Sequence, residues 1–418
     1  MVTSSPLCTP EQLVRLRTHA RFAYANTSFY RSRFDSAGVT PEMLESYADL
    51  TKFPMVTKTE VIDAQTASPP FGGQRAENSG ELARIYCNAG SLLLWFTEAD
   101  LDEMGQMFGG LMATMGVRRG DVVDISSTFH WVLAGTTMDL ALRRLGATVV
   151  PGGPGMSDLR LRLMKKLGVT AAELFTPYAE ELATKFADNG IDAARDLQVR
   201  LLMVGGELRD SEALDRLRRA WGGATIREFY GVSEAGMLAA ECFEGGNGMH
   251  ISPFCVVEVI DPGTGEHVPE DTPGEIVVTE LYRTAQPYVR YRSGDITEGF
   301  TTAPCVCGRT EPRLRRILGR RSDIARVKGQ FIAPAVVEQI IRKRLGKRAW
   351  QAIIDRPGNI DTMQLRVEWD GATEQRVDLE AALQMDMKAL LAITVDVELV
   401  APATLGKGGP FVDRRRFS

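Results

Sequence analysis

The sequence predicts an α/β protein in two parts. The larger, residues 1–320, holds parallel sheet with helices plus a β-rich subdomain, and the smaller, residues 321–418, is an α+β domain of its own. Three observations carry this. From about Leu82, short β-branched runs alternate with amphipathic stretches, as strands alternate with crossover helices in a parallel sheet. Around Gly248 the helical stretches drop out and the texture becomes strand-rich. Beyond residue 320 a fresh pattern of helix, two strands, helix and strand begins.

In chain order, residues 10–70 are helical and connecting. Leu13, Leu16, Ala20, Phe22 and Ala23 lie at helical spacing, with breaks at Pro54 and Pro69-Pro70. Strands are expected at 121–125, 147–150, 174–175 and 199–204, with helices at 137–145 and 158–167. Two further strands, 255–260 and 274–279, are joined by Asp261-Pro262-Gly263-Thr264-Gly265, a turn signal. The C-terminal part reads as helix 334–345, strands 352–354 and 363–367, helix 379–391 and strand 395–400.

Composition narrows the function classes. The 418 residues include 49 Lys+Arg against 54 Asp+Glu, a net charge of −5, which gives no general attraction to nucleic acid or to an anionic membrane. Neither is an expected partner. An N-terminal signal pattern and a membrane-length apolar run are not seen, so cytoplasmic residence is the expectation. Six cysteines are too few for a disulfide scaffold of this length and have to be read singly.

The most informative segment runs from Arg227 to Glu234 (REFYGVSE), preceded by Leu201 to Glu207 (LLMVGGE). Both sit where a strand gives way to a loop, the usual binding edge of an open α/β sheet. Glycine there lets backbone approach a planar ligand, Tyr230 offers a flat face, and Glu234 offers a carboxylate oxygen to a hard cation such as Mg²⁺. Taken singly, each fragment also fits a turn with a buried tyrosine.

A second group concerns metal. Cys242, His250, Cys305 and Cys307 make three thiols and one imidazole, a full set for tetrahedral structural zinc; the same cysteines also fit the role of reduced, buried apolar residues. Cys8, Cys87 and Cys255 are expected to be structural.

In the order in which they occur, these motifs resemble those of the AMP-forming adenylating superfamily, which includes acyl-CoA synthetases, adenylation domains and luciferases. The resemblance is strongest to its phenylacetate-CoA ligase branch and covers residues 10–418. Tyr230-Gly231-Val232-Ser233-Glu234 resembles the Tyr-Gly-x-Ser/Thr-Glu motif, and Tyr291-Arg292-Ser293-Gly294-Asp295 the Tyr-Arg-Thr-Gly-Asp motif. Gly319-Arg320 with Asp323 resembles the hinge, and Gly406-Lys407 the segment of the mobile catalytic lysine. Thr128-Phe129-His130-Trp131 with Gly135 resembles the motif that lines the acyl pocket.

The resemblance implies roles. Gly205, Gly206 and Glu207 would border the adenine, Glu228 would accept its amino group, and Tyr230, followed by Gly231 and Ser233, would stack on it. Asp295 would bond the ribose hydroxyls with Arg320 close by. Lys407 would place a cation where negative charge develops, unless it is a surface lysine in a frayed tail. His130, between Phe129 and Trp131, would line the acyl pocket or pack as a core histidine; Tyr178 could add to an aromatic slot. The branch shows a similar Cys/His arrangement, which favours zinc, and it implies a homodimer.

One departure stands out. The superfamily has a Ser/Thr/Gly-rich loop with a lysine that wraps the β- and γ-phosphates of ATP. Here the corresponding stretch, Ile85 to Trp95 (IYCNAGSLLLW), is shorter, with one glycine and no lysine. Bulky Leu92, Leu93, Leu94 and Trp95 cannot form a cradle of backbone N–H groups. Pro151-Gly152-Gly153-Pro154-Gly155 is explained as a turn after a strand.

Twelve Lys/Arg stand against two acids, Asp323 and Glu338, between Arg313 and Arg348. The run is either a solvated face or a docking surface for an anionic partner, such as the nucleotide end of coenzyme A or an acidic carrier domain. The expected function is an acid-CoA ligase that uses ATP and Mg²⁺ to make the acyl-adenylate of a small aryl or other carboxylic acid. It would pass the acyl group to a thiol, of coenzyme A or of a carrier protein, after the small domain rotates about Arg321–Asp323. Two alternatives stay open: an acyltransferase that uses a preactivated donor, and a noncatalytic nucleotide- or acyl-binding protein.

Overall fold

The protein, as a computed structural model, is described over residues 7–88, 92–205, 211–246, 248–328, 330–357, 360–391, 393–405 and 409–415. The chain forms two compact units. One comprises Met1–Ser293 with Thr297–Ile317, the other Gly294–Ile296 with Leu318–Ser418.

The first unit is organised by a nine-stranded sheet. Strands Thr148–Val150, Val122–Ile125, Ala171–Phe175, Leu201–Gly205 and Thr225–Val232 lie side by side in that order and all run parallel. The residues of the three central strands, Val122–Ile125, Ala171–Phe175 and Leu201–Gly205, are nearly all buried, and their apolar sequences reflect helices covering the sheet. The sheet then changes character. Thr225–Val232 pairs antiparallel with Gly236–Ala240, which pairs with Met249–Ile251, followed by Arg313–Leu314 and Phe300–Thr301.

Helices Ala134–Leu145 and Ser157–Leu167 follow the parallel strands as expected, each closed by a left-handed glycine, Gly146 and Gly168. A long helix, Glu98–Met115, was not read from the sequence, although its Thr97/Asp100 capping box and buried Leu101, Met104, Phe108 and Met112 spell one out. The N-terminal segment supplies helices Pro10–Asn26, Ser28–Ser36 and Lys58–Ala67. Strands Cys255–Ile260 and Gly274–Glu280 pair antiparallel, and the turn that follows the first is held by Asp261, whose Oδ1 accepts from Gly263 and Thr264 at 2.8 and 3.1 Å.

The second unit packs helices Pro334–Leu345 and Thr373–Leu391 with a sheet ordered Asp396–Val400, Thr362–Glu368, Trp350–Asp355 and Phe411–Asp413. Val337, Ile341, Ile354, Leu365, Leu383 and Met387 form its core. Strand Phe411–Asp413 and hairpin Ala325–Val327/Gln330–Ile332 are additions to the expected elements.

Candidate active site

In the parallel half of the sheet, the strand Val122–Ile125 is followed in sequence by its neighbour on one side, Thr148–Val150, and the chain then returns to the other side at Ala171–Phe175. In open α/β sheets ligands bind outside the carboxyl edge at such a reversal. The loop that leaves Ile125 at this point carries Thr128-Phe129-His130-Trp131.

Its start is tightly held. The fully buried Glu173 carboxylate accepts from the N–H groups of Ser126 and Ser127 at 3.1 and 3.0 Å and from Ser127 Oγ at 2.8 Å. Burial pushes the Glu173 carboxyl up. Gly135 N donates to the Thr128 carbonyl, and a Cβ on Gly135 would lie 2.5 Å from that oxygen, so only glycine lets the helix start so close to the loop. Phe129 is half-buried against the core, whereas His130 is exposed and Trp131 is 79% exposed, with φ at 62°. The packed-core alternative for His130 is therefore removed. Tyr178 does not stand free: its hydroxyl donates to the Gly155 carbonyl at 3.1 Å, and its ring lies 5.5 Å below Arg160.

The neighbouring strands end at the same edge. Gly205 closes Leu201–Gly205, with the Phe229 ring where a side chain would stand; Gly206 and Glu207 lie outside the described residues. Strand Thr225–Val232 carries Glu228, half-buried, and Tyr230, buried, with a bulge between Tyr230 and Gly231. A bulge re-aims side chains at the end of a strand. Glu228 faces Glu241, its cross-strand neighbour, whose carboxylate accepts from Glu228 N at 2.9 Å. Burial first, and the like charge of Glu241 second, push the Glu228 carboxyl up to about 7, with Arg316 partly offsetting them.

Ser233 and Glu234 form the turn after this strand. The Glu234 side chain is 6% exposed, yet its Oε1 has no hydrogen-bond partner, and Lys58 Nζ stands 3.8 Å from it. The Glu234 carbonyl accepts from Arg283, itself fully buried and paired with Glu280 at 2.9 Å. Sequence reasoning singled out neither Lys58, Glu173, Arg283 nor Glu241. The Thr57/Glu60 capping box could have placed Lys58 on a first helical turn; the others depend on contacts between distant segments.

The stretch Ile85 to Trp95 is an antiparallel hairpin, Arg84–Asn88 with Leu92–Phe96, and Asn88 is paired with Leu92. Leu92, Leu94, Trp95 and Phe96 are core residues. Only residues 89–91, outside the described set, connect the strands. Pro151 to Gly155 follows the strand Thr148–Val150 as a turn, with Gly152 N and Gly153 N bonded to Val150 and Ile125 carbonyls at 2.9 Å.

In the second unit, buried Asp295 pairs with Arg320, Oδ1 to Nε at 3.1 Å, just ahead of the short turn of helix Arg321–Asp323. Lys407, with Gly406, lies outside the described residues. Besides Arg320, four of the twelve residues of the basic run pair with nearby acids, as Arg315–Asp271, Arg316–Glu298, Arg344–Asp386 and Arg348–Asp370, which accords with a solvated face.

Cys242, His250, Cys305 and Cys307 come together from three segments of the antiparallel half, their ligand atoms all within 4.8 Å of one another. Cys242 and Cys305 Sγ are 3.7 Å apart and Cys307 Sγ lies 3.5 Å from His250 Nε2. Two thiolates on one tetrahedral zinc, at bonds of about 2.3 Å, stand roughly that far apart, whereas a disulfide needs about 2 Å. The donor set fits zinc.

Comparison with known proteins agrees with this geometry. Residues 103–284 match the AMP-binding enzyme family, and residues 329–414 match the AMP-binding enzyme C-terminal domain. A phenylacetate-coenzyme A ligase of Aromatoleum evansii is 30% identical over 97% of this chain and 94% of its own, and one of Pseudomonas putida is 29% identical over the same shares. A solved 2-hydroxyisobutyryl-CoA ligase in complex with 2-HIB-AMP and CoA superposes with a TM-score of 0.85 at 26% identity, over 96% of this chain and 90% of that one. No described helix is long and apolar enough to cross a membrane. The chain belongs to the AMP-forming adenylating ligases, in the phenylacetate-CoA ligase-like branch.

Proposed function

We propose that this protein is an acid-CoA ligase that converts a small carboxylic acid, aryl in the first instance, to its acyl-adenylate with Mg-ATP and transfers the acyl group to the thiol of coenzyme A. The observation that carries it is Glu234: a nearly fully buried carboxylate with an unpartnered oxygen, on the turn at the binding edge of the sheet, in a chain related along its length to CoA ligases. Glu234 would hold magnesium, which supplies positive charge against the phosphates when bound. Tyr230 would stack on adenine with Gly205, Gly206, Glu207, Gly231 and Ser233 around it, and Glu228 would accept its amino group. Asp295, oriented by Arg320, would take the ribose hydroxyls. Phe129, His130 and Trp131 would face the acyl group, and Lys407 would supply the cation at the reacting carboxylate.

Zinc on Cys242, His250, Cys305 and Cys307 belongs to the same proposal, as a closed, structural site. Domain rotation about Arg321–Asp323, a homodimer and cytoplasmic residence complete it, on the strength of the family. Light scattering tests the dimer. The ligase reading is tested by acid-dependent exchange of labelled pyrophosphate into ATP across a panel of aryl and short hydroxy acids, followed by thioester formation on adding coenzyme A. Exchange with at least one acid supports it; thioester formation only from a preactivated acyl donor would replace it with the acyltransferase.

A further inference from the structure

The hairpin that replaces the phosphate loop offers no lysine to the β- and γ-phosphates, yet the structure brings a lysine to the same carboxylate turn from elsewhere. We propose that Lys58 is the cationic contact for the pyrophosphate end of the bound nucleotide, taking the place of the absent loop lysine beside Glu234. This rests on the ligase reading above.

Among the described residues, Lys58 is the one cation within 4.0 Å of the Glu234 carboxylate. At 3.8 Å its Nζ is near enough to offset the charge but beyond hydrogen-bond reach, and Glu234 Oε1 remains without a hydrogen bond. The three N–H donors of the ammonium are thus not spent on this carboxylate, and its side chain is 41% exposed, open to a ligand from solvent.

Its position argues against a purely structural role. Lys58 is the first residue of helix Lys58–Ala67, whose N-cap is Thr57. A cation there faces the positive end of the helix dipole, where an acid is the stabilising choice. Local rules are broken in this way chiefly where function requires it. A lysine and a helix N-terminus on one side, and a carboxylate suited to a divalent cation on the other, together suit a polyanion that arrives with its metal.

The helix is also anchored at both ends to the elements concerned. Ahead of Lys58, Val56 N donates to the Arg290 carbonyl at 2.9 Å and Arg292 N to the Val56 carbonyl at 2.8 Å, tying it to the start of the Tyr291–Asp295 motif. Seven residues after Lys58, the buried Gln65 side chain exchanges two 3.0 Å hydrogen bonds with the backbone of Leu93, in the hairpin that stands where the phosphate loop would be. The hairpin therefore fixes the helix that presents the lysine.

The test is calorimetric titration of the full chain, wild type, Lys58→Ala and Lys58→Arg, with Mg-ATP and separately with AMP. Loss of one charge-assisted contact predicts at least about tenfold weaker Mg-ATP binding by Lys58→Ala, with AMP affinity unchanged within about twofold. Lys58→Arg should recover most of the loss. A Lys58→Ala protein that keeps the wild-type advantage of Mg-ATP over AMP, or that loses both ligands equally, overturns the proposal alone. A wild type that gains nothing from the two further phosphates overturns the ligase reading and this proposal together. Equal melting temperatures of the three proteins, expected for so exposed a side chain, show that any loss is local.

Discussion

The two halves of the nine-stranded sheet share one strand and gather different side chains. In the parallel half every strand ends at one edge, so the loop after Ile125, Gly205 and the turn after Val232 are delivered side by side. Polar groups there are under electrostatic stress: Glu234 keeps an oxygen without a hydrogen bond, and Glu228 feels the like charge of Glu241. In the antiparallel half, hairpins bring Cys242, His250, Cys305 and Cys307 to face one another. On the reading proposed above, groups that await a ligand mark the working edge, and a clustered set of metal-ligand side chains marks the structural one. The two halves meet in a single strand, Thr225–Val232, parallel on one side and antiparallel on the other.

The sharpest way to break this contrast is to disable each half and read the other. Cys305→Ser should release the metal, measured by elemental analysis, and lower unfolding stability by about 4 kcal/mol or more, the range in which a lost structural metal stands out among point mutations. AMP affinity measured well below the melting temperature should hold. A variant that keeps both metal and stability removes the zinc site as drawn. Glu234→Gln should do the reverse, with metal content and melting temperature preserved and acid-dependent adenylation reduced by about 10²–10³-fold, the scale of a lost electrostatic contact to developing charge.

Much of this contrast was legible in the residues. The short β-branched runs gave the parallel strands, REFYGVSE gave the turn at their carboxyl edge, and three thiols with one imidazole gave the cluster although Cys242 and Cys305 are far apart in sequence. Glu173, Glu241, Arg283 and Lys58 were not legible, because each acts through a partner that only the folded chain supplies: Glu173 through Ser126 and Ser127, Glu241 through strand pairing with Glu228. His130 shows the limit from the other side. Its aromatic neighbours are compatible with core or surface, and what decides is the turn after Val122–Ile125, held by Glu173, which leaves His130 exposed.

Glu173 gives a smaller and more selective test. Glu173→Leu roughly keeps the volume but takes away the one carboxylate oxygen that accepts from both Ser126 N and Ser127 N, leaving buried N–H groups without an acceptor at a cost of about 1–3 kcal/mol. Because the group positions the loop bearing Phe129 to Trp131 rather than touching substrate, KM for the acid should rise while AMP affinity and zinc content stay constant. A matched loss of AMP binding would mean that the working edge responds as one piece.

The smallest expected effect divides the shared strand itself. With its carboxyl pushed up to about 7, Glu228 is about one-tenth ionised near pH 6 and about nine-tenths ionised near pH 8. An adenine amino group donates to the carboxylate and not to the protonated acid's hydroxyl, so AMP should bind up to about tenfold more weakly at the lower pH. Stability runs the other way: because the folded pKa lies above the unfolded one, ionising Glu228 costs folding energy as pH rises through about 7, and a bound adenine offsets that cost. Glu241→Gln removes the like charge and should move the midpoint of AMP binding to lower pH, while Glu228→Gln should abolish the dependence. If the pH profile survives Glu228→Gln, the titrating group lies elsewhere, and the carboxylate pair belongs with the structural half of the sheet.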